Sequence, residues 1–239
     1  MVSAVNRRLA PLLLVPLLAS CSLEDVAEFL GPQPNPEVAA LADRAHADGR
    51  TAHAAELEAE IARLCGTHED GSVPASCAYT PSPVEPGDAF LVTVDAVDAV
   101  PAASRDLVAR QAVELAAEAP GEHTLLQAEA EQARALLRAE FATLHGLEVA
   151  RAFHSVDLVD PLIDATEQRI TLLREVLEPT GDVPVAEPGY ELREGADPAA
   201  PGFVAQLEKA SADMWLAAVR DAQADAWREW LARAAAAPE

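Results

Sequence analysis

Apolar residues recur at intervals of three and four through most of this chain, and that spacing predicts helices. A first helix is expected from Pro36, a residue suited to the first helical turn, to about Leu64, with Leu57, Ile61 and Leu64 on one face. A second is predicted in two pieces, 88–99 and 101–118, although the LVTV run within it would also suit a strand. From about Glu122 to Phe153, Leu125, Leu126, Leu136, Leu137, Phe141, Leu144 and Leu147 fall along one face of a third helix. The fourth, about 155–178, has the cleanest division: Val159, Leu162, Ile163, Ile170, Leu173 and Leu177 oppose Asp157, Asp160, Asp164, Glu167 and Glu175. A final helix from about Ala200 to Ala236 carries Trp215, Leu216, Val219, Trp227, Trp230 and Leu231 on one side.

Proline-rich stretches punctuate these segments at GPQPNP (31–36), TPSPVEPG (80–87) and the long run from Pro179 to Gly202. Half of the residues are apolar, yet aromatics make up only 4% and alanine dominates, so closely spaced helices are favoured over strands rich in β-branched and aromatic residues. The fold class expected is all-α, an antiparallel helical bundle.

The first twenty residues change the picture of where this bundle works. Arg7 and Arg8 precede an apolar run, Leu9 to Leu18, closed by small residues in the layout of a secretory leader. The run is too short to span a bilayer, which takes roughly 20 apolar residues, and it contains Pro11 and Pro16. Leu18, Ala19, Ser20 and Cys21 resemble a bacterial lipobox, which implies cleavage before Cys21 and lipid on its thiol. The expected organisation is a lipoprotein signal peptide at 1–20, an anchored linker at 21–35, and the bundle at 36–239. Within the bundle, 36–84 hold the first helix and a cysteine loop, and 85–239 the main body. The address expected is the extracytoplasmic face of the cell membrane.

Export bears on the other two cysteines. Cys65 and Cys77 form an even pair in an oxidising compartment and are most simply read as one disulfide; a metal site that also used His68 would still lack a fourth ligand. Removal of the leader leaves 15 basic residues against 40 acidic ones, a formal charge of −25. Such a field repels nucleic-acid phosphates and anionic lipid headgroups, so contact with the membrane is expected through the lipid anchor alone.

RITLLREVL (169–177), PVAEPGYEL (184–192) and DAWREWL (225–231) give the second half of the chain a resemblance to the ferritin-like domain of unknown function of actinobacterial exported lipoproteins. RLCGTHEDG and Cys77 resemble an N-terminal extension of its corynebacterial-type members. The resemblance spans roughly 100–235 and implies a ferritin-like four-helix bundle, here with an additional N-terminal helix. It implies no activity.

Ferritin-type di-iron chemistry needs Glu-x-x-His pairs on inward helix faces, and none occurs in this sequence. Glu140 lies amid the Leu136, Leu144 and Leu147 stripe, where a carboxylate needs a partner from another helix. His46 and His53 are two turns apart on the face predicted for the first helix, a spacing at which they share a metal only if other helices supply ligands. Trp215, Trp227 and Trp230 are expected to fill the core; exposed at the end of the bundle, Trp227 and Trp230 would instead anchor an interface. No nucleophile elbow, phosphate loop, dinucleotide fingerprint or Cys-x-x-Cys is present. The expected function is therefore a binding or scaffold module of the cell envelope that takes another protein or a small ligand, with no cofactor. The alternative is an atypical metal protein or metal-dependent enzyme built on Glu140, His46 and His53.

Overall fold

Helices account for all the regular secondary structure in the computed structural model, which describes residues 31–85, 87–192 and 195–236. The leader and Cys21 lie outside these residues. Among the described residues there is no strand, and no helix is long and apolar enough to cross a membrane.

The stretch expected as one helix from 36 to 64 is two, α1 (Pro36–Ala47) and α2 (Thr51–Cys65). Asn35 starts α1 by accepting the amide proton of Val38, with Pro36 in the first turn. At the other end Gly49 takes a positive φ of 70°, a conformation without penalty only for glycine, and the chain reverses so that α2 packs on α1. The LVTV run is helical: α3 (Ala89–Asp95) is capped by Asp88, whose carboxylate accepts from the Leu91 amide. A short 3-10 turn at Ala102–Ser104 then leads into α4 (Arg105–Leu115).

α5 (Gln127–Ala150) and α6 (Val156–Leu177) form a hairpin with the most extensive helix pairing in the fold. Leu125 and Leu126, expected on the α5 face, precede the helix, and Leu126 is exposed; the helix starts at Gln127, where the Glu129 carboxylate accepts from the Leu126 amide. The face of α6 follows its pattern, with Val159, Ile163, Ile170, Leu173 and Leu177 buried, while Leu162 is half-buried. The final predicted helix is again two, α7 (Phe203–Asp221) and α8 (Asp225–Ala235). No glycine or proline marks this break. Its extended residues are held by Arg228, whose fully buried guanidinium donates to the Ala222 carbonyl, to Asp225 and to Asp98 from the α3–α4 connection.

One core joins Val38, Leu57, Val108, Leu137, Leu173 and Trp227 from six of these helices, so α1 and α2 belong to the same packed unit as the rest. A smaller cluster, built on Leu147, Val159, Ile163 and Phe203, closes the end nearest the α5–α6 turn. α6 and α7 both lie against α5 but touch each other only marginally. The space left between them is a cavity of about 350 Å³ that α4 also helps to line.

Candidate functional site

Glu140, singled out on the apolar stripe of α5, stands beside this cavity with no solvent exposure. Three donors from two other helices converge on its Oε1. The Trp215 indole nitrogen of α7 donates at 2.5 Å, the Ser211 hydroxyl at 3.1 Å, and Nε of Arg169, from α6, at 3.2 Å. Its Oε2 is buried without a hydrogen-bond partner among the described residues. Arg169 is the partner from another helix that a carboxylate in this position requires, because an unpaired charge in a low-dielectric interior is strongly unfavourable.

Arg169 itself lines the cavity wall, with 14% of its side chain exposed. Its Nη2 donates to the Thr166 hydroxyl at 3.3 Å and lies 3.5 Å from the Ser211 hydroxyl. Both hydroxyl protons are committed elsewhere, Thr166 to the Leu162 carbonyl and Ser211 to Glu140, so each presents lone pairs to the guanidinium. Val113, Leu147, Leu162 and Leu216 make the rest of the wall largely apolar, and Arg110, Glu114 and Glu208 bring charge to it. Arg110 is bound to Glu56 and Glu114, each at 3.0 Å. A cavity of this size with few convergent polar groups has the character of a small-ligand site. Chemically it can bind and orient a ligand, with the Glu140 carboxylate beside it held by three donors.

The sequence pointed to Glu140 but not to Arg169, Ser211 or Thr166. One signal was available: Arg169 directly precedes Ile170 and lies three residues after Thr166 and four before Leu173, on the flank of the buried face of α6.

The break at Gly49 puts His46 and His53 on different helices. His46 contacts Glu58 at 2.6 Å, while His53 lies 2.9 Å from Glu114 and 3.1 Å from Arg50. Neither comes to Glu140, and the cation beside Glu140 is a guanidinium. Among the described residues no group of three or more His, Cys, Asp or Glu side chains is placed to hold a metal ion. Cys65 and Cys77 are joined as a disulfide, with 6.3 Å between their Cα atoms, which ties the end of α2 to the 3-10 turn Ala75–Cys77. His68 has no part in it.

Trp227 and Trp230 are 1% and 5% exposed, which removes them as an interface anchor. Their rings stack on each other at 4.9 Å; Trp227 also stacks on His123, and its indole donates to Gln132. They are buried because the short α8 folds back onto α3, α4 and α7 instead of projecting beyond the bundle. Compared with known proteins, this chain matches no family model, no curated protein and no solved structure.

Proposed function

We propose that this chain is a lipid-anchored, extracytoplasmic ligand-binding module of the ferritin-like type, which takes a small molecule into the cavity between α6 and α7. The observation that carries the reading is the pairing of a largely apolar cavity with a polar cluster on its wall, in which Arg169 is held in place by Glu140, Thr166 and Ser211. Such a wall orients a ligand while the apolar lining supplies affinity. A lipid on Cys21 would hold the module at the membrane, and 21–35 would tether it, so the acidic surface need not touch the bilayer. Two acyl chains hold stably where one exchanges. The metal-dependent alternative draws less support, because Glu140, His46 and His53 each engage protein partners and stand apart from one another.

Two measurements test this. Membrane fractionation of cells expressing the full chain should find it with the membranes, and Cys21→Ala should release it from them or stall it unprocessed; unchanged, fully processed membrane association would refute the anchor. Calorimetric titration of the full chain with 1-hexanol should show saturable one-to-one binding that Leu162→Trp, which fills the cavity, abolishes. Absence of saturable binding would refute the ligand-binding reading.

A further inference from the structure

Hydrogen-bond capacity on the cavity wall is distributed unevenly. Arg169 commits Nε to Glu140 and Nη2 to the hydroxyls of Thr166 and Ser211, whereas Nη1 makes no hydrogen bond among the described residues. The guanidinium therefore has two N–H donors to spare at the edge of an apolar space. Its charge, however, is already met by Glu140, which is fully buried and cannot turn away to water.

The surrounding charges decide what those donors can take. Arg110, the other cation on the wall, is held by Glu56 and Glu114, and Glu208 lines the cavity with no ion pair among the described residues. A carboxylate or phosphate entering the site would face the charge of three carboxylates, Glu114 and Glu208 on the lining and Glu140 buried behind it, against two guanidiniums, within a strongly acidic protein. An ammonium group cannot accept from those donors and would add charge beside the guanidinium; the one wall carboxylate without an ion pair, Glu208, is solvent-exposed, while Oε1 of Glu140 already holds three donors and its Oε2 is buried. An uncharged acceptor satisfies the spare donors without adding charge of either sign, and donation from a charged group to a neutral oxygen is among the stronger hydrogen bonds.

We propose that the cavity takes an uncharged, mostly apolar small molecule bearing a carbonyl oxygen, of the amide or ester class, which accepts from the Arg169 guanidinium while its hydrocarbon part lies against Leu147, Leu162 and Leu216. This rests on the ligand-binding reading of the cavity and adds the headgroup it selects.

The test is a headgroup series on one six-carbon tail, hexanamide, hexanoate and hexylamine at pH 7.5, titrated calorimetrically into the full chain held in lipid nanodiscs, with empty nanodiscs as the blank. Hexanamide should bind at least tenfold more tightly than the other two. The preference should disappear in the double variant Glu140→Gln with Arg169→Met, which removes the guanidinium without leaving a buried charge behind. Tightest binding by hexanoate or by hexylamine, or a preference that survives in the double variant, would overturn the headgroup assignment while leaving the cavity a ligand site. Failure of all three and of 1-hexanol would instead remove the ligand-binding reading, and this inference with it.

Discussion

Arg169→Met isolates the electrostatics of the buried cluster. Without the guanidinium, Glu140 keeps the Trp215 and Ser211 donors on Oε1 but has no counterion, an orphan Oε2 and no exposure through which water could compensate. Stranding a buried charge in this way costs about 3–5 kcal/mol, a large share of the roughly 5–15 kcal/mol that holds a domain folded. The reverse change, Glu140→Gln, is milder, at about 1–2 kcal/mol. The Gln oxygen still accepts from Trp215 and Ser211, and the abandoned guanidinium lies on a cavity wall with 14% of its side chain exposed. Combining the two changes removes both charges and preserves the neutral hydrogen bonds, so the double variant should lose only about 1–2 kcal/mol and be more stable than Arg169→Met alone. Urea unfolding followed by tryptophan fluorescence and circular dichroism, with slopes compared to exclude a change in the unfolded state, measures all three. If Arg169→Met proves no less stable than the double variant, Glu140 is not carrying an uncompensated charge and the account of the cluster fails.

Breaking the Cys65–Cys77 bond, whose partners are 12 residues apart, should lower stability by about 3 kcal/mol on chain-entropy grounds, read as a shift in urea midpoint between the oxidised chain and Cys65→Ser with Cys77→Ser; no shift would mean the loop is already fixed by its own contacts. Hydrogen bonding from Arg63 holds the Glu60 carboxyl below its ordinary value of 4.5, with further help from Ser104. The stability this brings is fully present above about pH 4.5 and is lost as pH falls through the lowered value. The stability gap between the native chain and Glu60→Gln should accordingly narrow on acidification, and a gap that stays constant from pH 7 downwards would contradict it. Gly146 faces Leu207 across the contact of α5 with α7, where an added Cβ would come within 3.1 Å of both Leu207 methyls. Gly146→Ala should stay within about 1 kcal/mol of the native chain, since helix propensity offsets the crowding, whereas Gly146→Leu should cost about 1–3 kcal/mol in the same urea assay.

Much of the fold was legible because helical periodicity survives tertiary packing. The face of α6 is the plainest case: five of its six predicted core positions are buried, and the half-buried sixth, Leu162, lines the cavity. The turn between α1 and α2 carried a signal in Asp48-Gly49 that weighs less than an uninterrupted apolar stripe, and the stripe alone suggested one long helix. The site was half legible. A carboxylate on an apolar face announces Glu140 and its need of a partner from another helix, but that the partner is Arg169 depends on how α6 is placed against α5.

The order of apolar and polar residues set the helix content, the cysteine pair and the strongly acidic balance, because each depends on residues near in sequence or on composition. How α7 ends was decided at long range, by a buried arginine that reaches from α8 to Asp98 on the α3–α4 connection. The cavity has the same kind of origin. Its walls come from segments about a hundred residues apart, and it exists because α6 and α7 share α5 as a neighbour without closing on each other, a matter of helix placement to which no local pattern is sensitive.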